Sequence, residues 1–260
     1  MTPNHLLERA LWDLFWLPPD VRVVDRPEFV LLRCPRPVRS LNTVLRTRAE
    51  PPALPALIAE AKTAHNHIGS RWVVTDTFDA GPLETALTAA DYAPAEHHHA
   101  RAIAIDEFRA APASHAAIHP VDSMQRLRDA VSVADRVFGD SSHHSDNELD
   151  KALRQCTAPQ ARVHRLVAYE RSGAPVATGS LTCYPSLNFG LLWGGCTVNE
   201  ARGRGLYSAI LARRVAVARA RGIRYIGLYA RVDTSSPIVE RRGFASWGAM
   251  SFWDWTPEVS

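Results

Sequence analysis

The sequence predicts an α/β (α+β) fold, a mixed central sheet flanked by helices, and three observations lead there. A hydrophobic strand, Phe189 to Val198, passes through an Arg- and Gly-rich loop straight into a helix. That helix repeats its apolar residues, Leu206, Ile210, Leu211, Val215 and Val217, at helical spacing. Val163 to Tyr169 and Pro175 to Cys183 alternate as a hairpin around the turn Ser172-Gly173. Arg71-Trp72-Val73-Val74, Asp76-Thr77 and Pro82-Leu83-Glu84 are echoed, with gaps, by Arg224-Tyr225-Ile226, Asp233-Thr234 and Pro237-Ile238-Val239-Glu240. The echo marks one half as a shortened copy of the other.

Taken in order, Asn4 caps a helix from about His5 to Trp16, which Pro18-Pro19 stops. Val21 to Val24 and Phe29 to Arg33 form a hairpin, and Asn42 to Arg48 a further strand. Pro51-Pro52 leads into a helix from Leu54 to His65. Arg71 to Thr75 is a strand, Pro82 to Ala90 a helix and Ala100 to Ile105 a strand. His97-His98-His99 reads as a solvated strand start, because adjacent strand residues alternate faces and cannot share one metal. Nothing between Asn42 and Leu57 could cradle a pyrophosphate. Residues 1–108 therefore read as a degenerate half without a phosphate loop, with an unrelated helical cap as the alternative.

Phe108 to Pro120 is the linker, and residues 109–260 form the second unit. It holds a short strand at Ala116 to Ile118, a helix capped by Asp122 or Ser123, a polar loop, and a helix from Asp146 to Cys156. The hairpin, the central strand and its helix follow, with Gly222 as the helix C′ residue. Arg224 to Val232 is a strand, Ser235 or Ser236 caps a short helix, and Met250 to Trp255 closes the sheet. Trp193, Trp247, Trp253 and Trp255 are assigned to the core, with one of them free to line a pocket.

A length of 260 residues with 46% hydrophobic content supports real cores. A net charge of +3 without a basic run argues against nucleic acid, and no apolar run is long enough for a bilayer. Cys34, Cys156, Cys183 and Cys196 are scattered, as in a cytoplasmic protein with reduced thiols and no metal site. A monomer or homodimer is expected.

In Arg202-Gly203-Arg204-Gly205-Leu206-Tyr207-Ser208 the glycines allow a tight turn, and the helix N-terminus offers free N–H groups and a positive dipole end. The stretch suits a phosphate or pyrophosphate; an ordinary strand-helix turn with solvated arginines is the alternative. It lacks the Lys-Ser/Thr of a P-loop and the third glycine of a dinucleotide fingerprint.

The loop resembles the pyrophosphate loop of the GNAT superfamily of acyl-CoA N-acyltransferases, Arg/Gln-x-x-Gly-x-Gly/Ala. Arg202 and Gly205 match, and Tyr207 stands where Gly or Ala is usual. The order of elements from about 115 to 255, with Gly243-Phe244 near the end, is similar too. The resemblance implies transfer of an acetyl or other short acyl group from acetyl-CoA (or another acyl-CoA co-substrate) to a primary amine of a small molecule. It places pantetheine beside Cys196, Thr197 and Val198, pyrophosphate over Arg202, Gly203, Arg204, Gly205, Leu206, Tyr207 and Ser208, and Ser235 close by. The usual proton donor, a Tyr five residues before the Phe of Gly-Phe, is replaced by Val239. That leaves Ser236, Asp233 and His143 as catalytic candidates, each with a plainer role: Ser236 and Asp233 as helix caps, His143 as an exposed loop residue. The departure also motivates a second reading, a non-catalytic acyl-CoA-binding regulator. A third, an aminoacyl-tRNA donor, is disfavoured by the missing basic patch.

Overall fold

The computed structural model describes residues 2–65, 68–76, 80–110, 116–139 and 145–257. The first half runs α1 (Pro3–Leu11), β1 (Arg22–Asp25), β2 (Phe29–Arg33), β3 (Thr43–Thr47), α2 (Leu54–Ala64), β4 (Ser70–Thr75), α3 (Ala80–Ala89) and β5 (Ala93–Ala104). The second runs β6 (Ala117–Pro120), α4 (Met124–Phe138), α5 (Asp146–Thr157), β7 (Val163–Tyr169), β8 (Pro175–Tyr184) and β9 (Phe189–Thr197). It continues with α6 (Leu206–Ala220), β10 (Tyr225–Arg231), α7 (Ser235–Glu240) and β11 (Ala245–Trp255). Among the described residues no helix is long and apolar enough to cross a membrane.

The eleven described strands form one mixed sheet in the order β1-β2-β3-β4-β11-β5-β10-β9-β8-β7-β6. β3 with β4 and β9 with β10 are the parallel pairs; the other neighbours are antiparallel. Each parallel pair is followed by a helix and a closing strand, α3 with β5 and α7 with β11. The echo between the halves is visible as this repeated order. The closing strands have changed sides: β5 lies against β10, β11 against β4, and the two pair with each other mid-sheet. The sequence places Met250 to Trp255 at the end of the second half's own sheet; the structure puts it between β4 and β5. Burial explains the exchange. Trp253 of β11 packs into the cluster of Phe29, Val44 and Trp72, and Ile103 of β5 into that of Ile226, Leu228 and Phe244. Each closing strand completes the core of the other half.

Side chains of β10 alternate across the sheet as the strand period requires. Ile226 and Leu228 meet α6 and α7, whereas Tyr225 and Tyr229 meet Leu6, Leu7 and Ala10 of α1. α2 and α3 cover the first half's strands through Leu57, Ile58, Leu83 and Leu87.

Several local expectations shift. α1 begins at Pro3, whose fixed φ suits the first helical position, with Thr2 rather than Asn4 at the cap, and it ends at Leu11 rather than Trp16. Ser235 and Ser236 are no caps: they lie inside the first turn of α7, behind Thr234. The three histidines fall within β5 rather than at a solvated start, so His98 is buried. Trp247 is exposed rather than in the core, and Trp72 is fully buried.

Candidate functional site

Pairing between β9 and β10 ends early. The parallel register runs from Tyr225↔Phe189 to Gly227↔Leu191 and stops, although both strands continue. From Leu192 to Thr197 the edge of β9 that faces β10 therefore has no strand partner. A bulge bends β9 at this point: Thr178 opposes Cys196 and Ser180 opposes Trp193, so Gly194-Gly195 face one residue, Gly179. Gly194 takes a φ of +58°, which glycine reaches without a Cβ penalty. The gap opens into a cleft of about 1000 Å³ that passes through the sheet.

One end of the cleft is the start of α6. Gly203 and Gly205 have φ of +78° and +75°, and Gly205 is the N-cap residue. The first intrahelical bond runs from the Ala209 N–H to the Gly205 carbonyl, 3.0 Å, so the N–H groups of Leu206, Tyr207 and Ser208 point out of the helix end. These donors, the dipole and the side chain of Arg202 suit an anion. Arg202 is braced by donating from Nε to the Thr197 carbonyl, 3.3 Å.

Cys196, Thr197, Arg202, Gly203, Gly205, Leu206, Tyr207, Ser208 and Ser235 all line the cleft. Two companions do not. Val198 is buried in a core cluster with Val133 and Ala201. Arg204 turns outward, donating to Glu170 at 2.6 Å and to the Glu200 carbonyl at 2.9 Å. Glu200 itself pairs with Arg136.

The catalytic candidates fare differently. Ser236 is buried away from the cleft, hydrogen-bonded to His99 Nδ1 at 2.8 Å and accepting from Arg101 Nε at 3.0 Å, so it ties α7 to β5. Asp233 is exposed and pairs with Arg231 at 3.0 Å, which holds its carboxyl below the usual carboxylate range; it is not among the lining residues. His143 lies outside the described residues. Val239 is fully buried in the core beneath α7.

Tyr207 brings a hydroxyl the sequence left without a role. Its ring passes under the bulge, so that a Cβ on Gly195 would sit 3.1 Å from it, and its hydroxyl faces Ser235 and Arg214. Burial raises its pKa. Cys196 is buried too, with its thiol pushed up to about 12 and directed at the Val133 carbonyl, 4.0 Å away. It is therefore a neutral wall residue rather than a nucleophile.

The far wall comes largely from the first half and its borrowed strand, which sequence reasoning missed. Arg39, Arg71, Glu96, His98 and Phe252 line the cleft opposite Trp193 and Tyr229. Arg71 makes a forked pair with Asp254, 2.8 and 3.0 Å, and its guanidinium stacks 4.4 Å from Phe252. Arg39 reaches the same carboxylate at 2.8 Å. His98 packs at a tilt against Phe252, ring centroids 5.0 Å apart, has Nε2 3.6 Å from Glu96, and is neutral at pH 7 because burial pushes its pKa down to about 4.

No family model matches the chain, and no curated protein matches it by sequence. Solved structures do. A GCN5-related N-acetyltransferase from Kribbella flavida superposes with a TM-score of 0.70 at 15% identity, over 97% of this chain and 95% of that one. One from Sphaerobacter thermophilus gives 0.61 at 17%, over 100% and 96%. A tandem GNAT protein from the clavulanic acid biosynthesis pathway gives 0.60 at 14%, over 99% and 89%.

Proposed function

We propose, because the chain has the GNAT fold from end to end, that it is an acyl-CoA-dependent N-acyltransferase acting on a primary amine of a small molecule. One observation carries this reading: β9 splays from β10 directly beside a helix N-terminus with two positive-φ glycines and outward N–H groups. A diphosphate fits the helix end, and an amide-bearing arm fits the unpaired edge of β9, where backbone groups can bond it as a strand would. On this reading residues 1–108 are the degenerate half, kept because they wall the acceptor side.

The amine nitrogen attacks the thioester carbonyl, the C–N bond forms and the C–S bond breaks. The departing thiolate needs a proton, and we assign its delivery to the Tyr207 hydroxyl. Its position supports this: it faces Ser235, one turn ahead of Val239, so it reaches from α6 toward the place the missing tyrosine would serve. The proton leaving the amine meets Glu96 and His98 on the opposite wall. Orientation of both reactants in one cleft supplies most of the remaining rate.

Buried Val239 favours a second reading, an acyl-CoA-binding regulator without turnover. Calorimetric titration with acetyl-CoA and, separately, with NAD and ATP tests the first step. Micromolar binding selective for acetyl-CoA is expected, and equal or absent binding would remove the acyl-CoA reading. Thiol release with a panel of amines then separates enzyme from regulator.

A further inference from the structure

Arg214 stands in the third turn of α6 and is 1% exposed, yet it lines the cleft. One terminal nitrogen donates to the Ser180 carbonyl at 3.1 Å; Nε and the other terminal nitrogen make no hydrogen bond of good geometry, and the neutral Tyr207 hydroxyl is the polar side-chain group beside them. The sheet makes room for the guanidinium with glycines. A Cβ at Gly179 would lie 3.1 Å from its central carbon, and one at Gly195 3.1 Å from the unpartnered terminal nitrogen.

Nothing ionised balances this charge. The acidic groups nearest to it are Tyr207 and Cys196, and burial keeps both protonated at neutral pH. Among the described residues no carboxylate pairs with it. Burial lowers the pKa of Arg214 from that of a free guanidinium, but arginine is not deprotonated in proteins. A buried, unpaired cation is strongly unfavourable, so its presence in a cleft wall points to an anion supplied by a ligand.

The place of Arg214 narrows the choice. It lies nine residues beyond Gly205, about 13 Å along the helix axis from the anion site at its N-terminus. Phosphates held at that end are out of reach, whereas an arm running from them along β9 ends near the Gly194-Gly195 bulge. We propose that Arg214 recognises a carboxylate on the acyl group, so that the preferred donor is the CoA monothioester of a dicarboxylic acid. This rests on the acyl-CoA reading above.

Calorimetry on the full chain with CoA, acetyl-CoA, malonyl-CoA and succinyl-CoA tests it. At least one dicarboxylic thioester is expected to bind at least about tenfold tighter than acetyl-CoA, the worth of a charge-assisted hydrogen bond. Arg214→Met should erase that preference, so that acetyl-CoA and the dicarboxylic thioesters bind alike, and raise the ligand-free melting temperature by removing an unpaired buried charge. Acetyl-CoA binding as tightly as both dicarboxylic thioesters in the unmodified protein, a comparison that needs no variant, would overturn the inference and leave the acyl-CoA reading standing. Survival of the preference in Arg214→Met would do the same. Absence of binding by every CoA species would overturn both. A preference for carboxylate-bearing over neutral amines that vanishes in Arg214→Met, with no donor preference, would move the anion to the acceptor and refute the donor assignment.

Discussion

The sheet contains two parallel pairs built alike, and only one of them is open. β3 pairs with β4 only at Thr43↔Arg71 and Val44↔Trp72, so this pair splays as β9 and β10 do. The gap is nevertheless closed to about 20 Å³, with Trp12, Arg46, Val73 and Leu83 among its lining residues. The Arg46 and Arg48 guanidinium groups lie 5.5 and 5.1 Å from the Trp12 ring. The helix that follows also differs. α2 starts behind Pro51-Pro52-Ala53 with Pro55 in its own first turn, so N–H donors are missing and no glycine sits at the cap. α6 starts behind two positive-φ glycines and an arginine. One topology thus yields a packed core in one half and an open cleft in the other; the chemistry of the loop and helix start separates them.

The largest expected effect breaks the open pair. Gly205→Glu places a side chain on a residue at φ +75° and a negative charge among the outward N–H groups. Acetyl-CoA affinity should fall at least about a hundredfold in calorimetry, because several charge-assisted hydrogen bonds to the diphosphate would be blocked at once. Ala53→Glu, the same change at the cap of α2, should leave affinity unaltered. Loss of binding in both variants would show the effect to be general destabilisation and refute the loop assignment.

The next effect belongs to the closed pair. Trp12→Ala enlarges its small cavity and should cost about 3 kcal/mol in urea denaturation, the range for large aromatic truncations. Acetyl-CoA affinity should stay within about twofold, because the two gaps sit on different strand pairs. A matching loss of affinity would mean that the closed gap is coupled to the cleft.

How much of this contrast the sequence could carry depends on the range of the interactions. The glycine-rich start of α6 was legible because its geometry is local: glycine at positive φ, a helix start and an arginine are adjacent in the chain. Asn42 to Leu57 holds no glycine, a feature that is equally local. The far wall of the cleft was not. Arg71 and His98 sit beside Phe252 only because β11 crosses to pair with β4 and β5, a contact of high sequence separation with no local signature. The serines of α7 have cap-forming side chains, and only the observed helix start puts them one and two residues past the cap, which is Thr234. Arg214 did leave a signal. It follows Ile210 by four residues on the apolar stripe of α6, where a solvated arginine would be out of place.

The smallest effect sharpens the comparison at a single atom. Each gap holds an aromatic ring, Trp12 in the closed one and Tyr207 in the open one, so ring volume alone does not distinguish them. What Tyr207 adds is a hydroxyl facing Ser235 and Arg214 inside the cleft. Tyr207→Phe keeps the ring against Gly195 and removes only that oxygen. If the hydroxyl delivers the proton to the leaving thiolate, kcat should fall about a hundredfold with KM for acyl-CoA nearly unchanged, the low end for general acid catalysis. The deficit should shrink with a thioester of a more acidic thiol, because such a leaving group needs less protonation. A rise in KM at constant kcat would instead assign Tyr207 to packing, and the open gap would then owe its chemistry to orientation alone.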